Sequence, residues 1–277
     1  NPDAYLNDLF MRAFYIDHPY SLDVDGTVAN INAFSVADLK SYYRDHLETS
    51  RMLLVVVGNT SRAELEKMVG NAFGSLATGE FLMSPLPEID HQTSSLKIVE
   101  RELPTNYIQG GFTAPAYGSE ESYPMMIATS ILRDRLFEEV RTKRSLSYAP
   151  AAGYASARSG YGYIYVTAVD PDTTVKVMMH ELDRLKNEKI SEKDLDDKVN
   201  VFITRYYLSN ETNQSQAELL ARYEMLGGGF AQSQQFIDNL KKVTPEDVQK
   251  VSEKFFKNLQ FVLLGNPSSL QIKNFML

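Results

Sequence analysis

A capped helix start, a short apolar run and a Gly-Asn close occur twice in this sequence, at a nearly constant spacing. Ser35-Val-Ala-Asp38-Leu39 precedes Met52-Leu-Leu-Val-Val-Val57-Gly58-Asn59, and Thr244-Pro-Glu-Asp247-Val248 precedes Phe261-Val-Leu-Leu264-Gly265-Asn266-Pro-Ser-Ser269. Asp38 and Asp247 stand 209 positions apart and Gly58 and Gly265 stand 207 apart, so the register survives with a two-residue deletion. Upstream, Leu9, Phe10 and Arg12 lie 210 positions before Leu219, Leu220 and Arg222. A repeat constrains the fold ahead of any motif, because each copy has to be the same structural unit. In a chain of 277 residues this offset leaves room for one full copy and the tail of another. The first copy then holds only the counterpart of residues from about 210 onward, and the counterpart of 95–209 is expected upstream of Asn1. An opening Asn-Pro-Asp on a helical pattern, with no initiator Met or signal segment, points the same way.

The local signals give both helices and strands, an α+β chain. Ser35 with Asp38 and Ser61 with Glu64 make capping-box patterns ahead of apolar stripes. Asp3 is expected to cap a first helix whose stripe is Leu6, Leu9/Phe10 and Ala13/Phe14. The apolar run 52–57 reads as a short buried strand, and 75–95, with Gly79, Pro85 and Pro87, as a surface linker. Further strands are predicted at 96–101, 107–113, 147–155, 161–169 and 261–264. Helices are predicted at 122–143, 172–188, 192–208, 215–226 and 245–257. The resulting domains are 1–80, the end of the first repeat; 81–94, a linker; and 95–277, a complete second repeat.

Composition removes several function classes. With 28 Lys and Arg against 36 Asp and Glu the net charge is −8, which disfavours nucleic acid and anionic membrane as partners. No transmembrane segment is expected, since the longest aliphatic run, 52–57, is far below the roughly 18 residues a span needs. Lacking cysteine, the chain has no disulfide, thiolate metal site or thiol nucleophile. Its histidines are His18, His46, His91 and His180, and the nearest two stand 28 residues apart, so no H-E-x-x-H zinc helix exists. His180-Glu-Leu-Asp-Arg184 places an Arg where a second ligand would be. A nucleophile elbow and a phosphate loop are also missing, Gly160 and Gly162 lack the third glycine of a dinucleotide loop, and Gly227-Gly228-Gly229 reads as a helix stop.

One stretch reverses the overall sign of charge. Arg133-Asp-Arg135-Leu-Phe-Glu-Glu-Val-Arg141-Thr-Lys-Arg144-Ser-Leu-Ser-Tyr148 carries five positive and three negative side chains. A guanidinium can hold a peptide carbonyl and a phenol can donate to a developing oxyanion. The alternative is an exposed helix paired internally, for example Glu139 with Lys143, followed by a packed strand Tyr. Spacing alone leaves both open.

The segment from Leu136 to Tyr148 resembles the R-L-[FW]-x-E-[VIL]-R-x-K-x-x-L-x-Y signature in the carboxy-terminal domain of the pitrilysin/insulinase family of zinc metallopeptidases. His18-Pro-Tyr20, Gly26, Asp38-Leu39, Tyr42-Tyr43, Gln109-Gly-Gly-Phe112, Ile190-Ser-Glu-Lys-Asp-Leu195 and Val243-Thr-Pro-Glu-Asp-Val248 extend the resemblance over nearly the whole chain. It implies duplicated two-layer α/β rolls that close on a peptide substrate. Zinc is held in the first by H-x-x-E-H and a later Glu, and an Arg and a Tyr seven residues on contact substrate from the second. Arg141 and Tyr148 have that spacing. By resemblance, Arg141 binds substrate backbone and Tyr148 helps stabilise the tetrahedral intermediate. H-x-x-E-H is absent; its place in the second copy is taken by Ile131-Leu-Arg-Asp-Arg135, and the family's glycine-rich stretch before the signature is shortened.

The implied protein is the substrate-binding, non-catalytic portion of a pitrilysin-like zinc endopeptidase, inactive alone. Zinc is expected in a catalytic domain upstream or in a partner subunit, so a homo- or heterodimer is compatible with it. The alternative implied is a pseudo-peptidase subunit or assembly scaffold. Family habit suggests the periplasm or cell envelope, with the cytoplasm as alternative.

Overall fold

Strand alternation in the second repeat builds a sheet that is buried on both faces. The structure, a computed structural model, describes residues 1–266 and 270–276. Its strands are β1 (Ser95–Glu100), β2 (Asn106–Thr113), β3 (Ala151–Ala155), β4 (Tyr161–Ala168) and β5 (Gln260–Gly265), in the order β1-β5-β2-β4-β3. Within this sheet β1 and β5 run parallel and the other neighbours run antiparallel. Side chains alternate between faces along each strand. Ile108, Phe112, Ile164, Val166, Phe261 and Leu263 enter the main core, while Tyr107, Tyr161, Tyr165, Val262 and Leu264 face the other way.

Helices α1 (Pro2–Phe14), α2 (Val28–Ala33), α3 (Val36–His46) and α4 (Arg62–Phe73) precede the sheet. Interleaved with the strands are α5 (Ser122–Leu136), α6 (Pro171–Asn187), α7 (Glu192–Ser209), α8 (Asn213–Leu226), α9 (Phe236–Lys241) and α10 (Pro245–Phe255). The main core joins the sheet to α5, α6 and α10 through Leu132, Leu136, Val175, Leu182, Val248 and Val251. Helix α1 crosses the opposite face, where Leu6, Phe10 and Phe14 meet Val262 and Leu264. The approach is close: a Cβ added at Gly111 of β2 would lie 2.3 Å from the Phe10 ring.

Both halves of the repeat signal form capped helices. Ser35 with Asp38, Ser61 with Glu64 and Thr244 with Asp247 are reciprocal capping boxes at the starts of α3, α4 and α10. Asp170 caps α6, with Pro171 in its first turn. The first helix is capped by Asn1, not Asp3; the Asp3 N–H donates to Asn1 Oδ1 at 2.9 Å because Pro2 already occupies the first helical turn. Residues 267–269 of the second Gly-Asn close lie outside the described residues.

The predicted strand at 52–57 forms no ladder. Its counterpart in the second copy, β5, lies between β1 and β2 and takes hydrogen bonds from both. Residues 52–57 have no such neighbour among the described residues, so they are extended and unpaired, and Leu53, Leu54 and Val56 are exposed. Two more differences are local: the helix predicted through 143 changes at Phe137 to a π turn, and the strand predicted from 147 begins at Ala151.

Candidate functional site

Helix α5 is anchored in the core by Ile127, Ile131, Leu132 and Leu136, and continues without a break into a π-helical turn, Phe137–Thr142. The wider winding shows in the Lys143 N–H, which donates to the Glu138 carbonyl at 2.9 Å, five residues back. Ser145 then takes a left-handed conformation, φ 52°, and the Leu146 N–H closes on the Val140 carbonyl at 2.9 Å. This stop reverses the chain toward β3, bringing Tyr148 back over the turn that carries Arg141.

The Arg141 guanidinium sits 4.0 Å from the centroid of the Tyr148 ring and 4.8 Å from that of Phe137. Contacts of this kind hold a guanidinium by cation–π attraction and leave its N–H groups available in its plane. Tyr148 is 76 % exposed, and its hydroxyl and the Arg141 guanidinium make no hydrogen bond among the described residues. The neighbouring charges are otherwise engaged. Glu139 accepts from Lys143 Nζ at 2.6 Å and pairs with Arg144, whose Nη1 also donates to the Glu139 carbonyl at 2.9 Å. Those two bonds, Lys143 first, draw the Glu139 carboxyl down to about 2. The internal pairing expected of an exposed helix and the free Arg–Tyr pair therefore coexist, because the pairing consumes Lys143 and Arg144 and spares Arg141. Phe137, the second ring beside Arg141, was not singled out from sequence; its four-residue spacing before Arg141 is the signal that marks it.

The histidines lie apart. His180 is exposed on α6. His46 stacks on Tyr42 at 3.9 Å, and its Nδ1 hydrogen-bonds the Tyr42 carbonyl. His18 accepts the Tyr20 N–H at 3.0 Å in a turn after α1, and the His91 ring packs 4.8 Å from that of Phe14. At 131–135, Ile131 and Leu132 enter the core, Arg133 reaches Ser130, and Asp134 pairs with Lys198. Among the described residues no group of three or more His, Cys, Asp and Glu could hold a metal ion, so this chain's donor set does not fit zinc.

A family model described as the peptidase M16 inactive domain matches residues 33–202. The chain belongs to the peptidase M16 family. This is the pitrilysin/insulinase resemblance carried by the segment from Leu136 to Tyr148, and relatives named as zinc proteases match beyond those residues. An uncharacterised zinc protease of Bacillus subtilis, YmxG, is 26% identical over 275 residues, covering 96% of this chain and 66% of the relative. An uncharacterised zinc protease of Mycobacterium bovis, Mb2805c, is 25% identical over 263 residues, covering 91% of this chain and 60% of the relative. The crystal structure of a peptidase M16 inactive domain from Pseudomonas fluorescens superposes with a TM-score of 0.86 at 19% identity, over 96% of this chain and 66% of that one. That likeness establishes the M16 α+β fold. This chain thus spans 60% of the length of one of these relatives and 66% of the other. Zinc belongs to the names of those relatives. Among the described residues no helix is long and apolar enough to cross a membrane.

Proposed function

We propose that this M16 inactive-type domain holds the peptide substrate of a zinc endopeptidase whose zinc-binding domain is supplied upstream or by a partner subunit. The observation that carries the proposal is the Arg141–Tyr148 pair: stacked at 4.0 Å, with no hydrogen bond to the guanidinium or the phenol hydroxyl among the described residues, at the end of a core-anchored helix. Arg141 donates to a backbone carbonyl of the substrate, and the Tyr148 hydroxyl donates to the oxygen on which charge develops as the peptide carbonyl becomes tetrahedral. A donor aimed at developing charge acts more on the transition state than on the bound substrate. Holding an aligned peptide requires no metal ligand from this chain.

Replacing Tyr148 by Phe keeps the ring under Arg141 and removes only the hydroxyl. In the protein assembled with its zinc-binding domain, kcat on a peptide substrate is expected to fall about 100-fold, the usual loss for one oxyanion donor, with little change in KM. An unchanged kcat rules out the role given to Tyr148. Arg141→Lys keeps the charge but loses the planar fork, so it should raise KM more than it lowers kcat.

A further inference from the structure

A cleft of about 800 Å³ opens between α5, the edge strand β3, and helices α7 and α8. Helix α7 turns one face to it, Phe202, Arg205, Tyr206 and Ser209, residues three and four apart that share a side of the helix. The Phe236 ring of α9 closes this end, stacked on Tyr206 with centroids 4.9 Å apart and lying 5.9 Å from the Tyr123 ring of α5. The phenol hydroxyls of these rings are already engaged. That of Tyr206 donates to the Ser233 carbonyl at 3.4 Å, and that of Tyr123 accepts from Asn239 Nδ2 at 3.3 Å. What this end of the cleft offers a ligand is therefore ring surface.

The charge along the cleft is of one sign. Three guanidinium groups, Arg133, Arg205 and Arg222, line it against a single carboxylate, Glu218, in a chain whose net charge is −8. Glu218 accepts from Gln214 Nε2 at 2.9 Å and forms no ion pair with the three among the described residues. Arg222 is fixed, donating to the Ser156 carbonyl at 2.7 Å and lying 4.6 Å from the Tyr117 ring. Arg133 reaches Ser130 at 3.3 Å and Asp134 at 3.4 Å. Arg205 is exposed and has no hydrogen bond or ion pair among the described residues. It follows Phe202 by three residues and precedes Tyr206 by one, so the uncommitted cation stands at the border of the ring-lined wall.

We propose that this cleft binds a small aromatic acid, its ring body against Phe202, Tyr206 and Phe236 and its carboxylate on Arg205. The volume is that of a small-molecule site with apolar walls and few polar groups. A planar guanidinium pairs with a carboxylate through two parallel hydrogen bonds, and ring-on-ring contacts favour a flat aromatic body over an alkyl chain of similar size. Neither Arg141 nor Tyr148 lines the cleft, so the inference goes beyond the peptide-holding role proposed for that pair and does not depend on it.

Methionine-methyl NMR on the full chain, titrated with naphthylacetate, tests it. Met126 and Met225 line the cleft, whereas Met52, Met68 and Met83 are exposed elsewhere. The first two signals should shift and the other three should stay in place. Naphthylacetamide, which keeps the shape and loses the charge, should bind at least about fivefold more weakly, and decanoate, which keeps the charge and loses the rings, about threefold more weakly. Arg205→Gln, an exposed change that leaves the circular dichroism spectrum intact, should weaken naphthylacetate about fivefold and leave the amide unchanged. No shift at Met126 and Met225, equal affinity of acid and amide, or indifference to Arg205→Gln overturns the proposal. Shifts confined to Met52, Met68 and Met83 would put the acid on the exposed apolar surface and also overturn it. Decanoate binding as tightly as naphthylacetate overturns the choice of an aromatic body.

Discussion

Glu139 decides what its neighbours are free to do. By accepting from Lys143 and pairing with Arg144 it occupies two of the three cations that follow it, and the third, Arg141, is left to its aromatic partners. The two bonds lower the Glu139 carboxyl to about 2 from the usual 4.5. A carboxyl lowered by folding adds stability that is complete above its unfolded value and lost as pH falls through its folded value. This cluster should therefore hold intact above about pH 4.5 and come apart only toward pH 2. Carbon-detected NMR of the Glu139 side chain should show a midpoint near 2, moving up in Lys143→Met because the Lys143 bond is the larger cause. A midpoint at 4.5 in the unaltered chain would mean that the carboxylate is not held by Lys143 and Arg144. Of this site, spacing alone offered both the pairing and the Arg–Tyr pair; the family signature singled out Arg141 and Tyr148, and the Ser145 reversal that unites them has no signature, since Ser carries no preference for a positive φ.

Helix α1 lies far upstream in sequence, yet packs on β2 and β5 of the sheet. Leu6, Phe10 and Phe14 are fully buried there, each contributing about 1.5–3 kcal/mol by burial, and they tie the two parts of the chain together. Two histidines flank this contact. His18 follows α1 and touches Tyr15 at 4.9 Å, His91 touches Phe14, and the Nε2 atom of each is buried without a partner. Burial lowers the pKa of both rings; for His91 a hydrogen bond with the Phe14 backbone and the charge of Asp90 work the other way and are outweighed. The neutral rings are thus favoured in the folded chain, and as pH falls below about 6.5 the unfolded chain takes up protons first and stability drops. Thermal unfolding should show Tm falling between pH 7 and pH 5, and His91→Phe, which keeps a ring and removes the proton site, should flatten part of that fall. An equal slope in the variant would show that His91 titrates freely. The elements themselves were largely legible: β4 alternates Gly162, Ile164 and Val166 against Tyr161, Tyr163 and Tyr165, and its predicted ends lie within one residue of those found. The cleft of about 800 Å³ between α5, β3, α7 and α8 was not, because Arg133, Gly153, Arg205 and Arg222, which line it, come from four elements spread over ninety positions, and no local pattern connects them.

At the scale of the molecule the two repeats are unequally satisfied. The second copy buries β5 between two strands and two helical layers, whereas the first exposes Val28, Ile31, Phe34, Leu39, Tyr42, Leu53, Leu54 and Met68. Scattered apolar residues are ordinary on a surface, but so many on three helices and an unpaired segment are what an uncovered interaction surface would leave exposed. We propose, from the repeat register, that 52–57 takes equivalents of β1 and β2 as β5 does, supplied by a counterpart of 95–209. The curated relatives are longer than this chain by enough to hold it, since the chain spans 60% of one and 66% of another. Local pattern gave 52–57 strand propensity but could not say that it stays unpaired, because pairing depends on residues that no window around 52–57 contains. Supplying that counterpart, either fused ahead of Asn1 or as a separate partner chain, should convert 52–57 into a central strand. Hydrogen exchange reads this directly: amides at 53–57 should exchange freely in the present chain and slow by at least about 100-fold in the completed one, as for strands of a stable core. The same comparison at β5 should show little change, because its neighbours are already present. Protection at 53–57 in the present chain, or its absence in the completed one, would mean that the first repeat does not rebuild the sheet of the second.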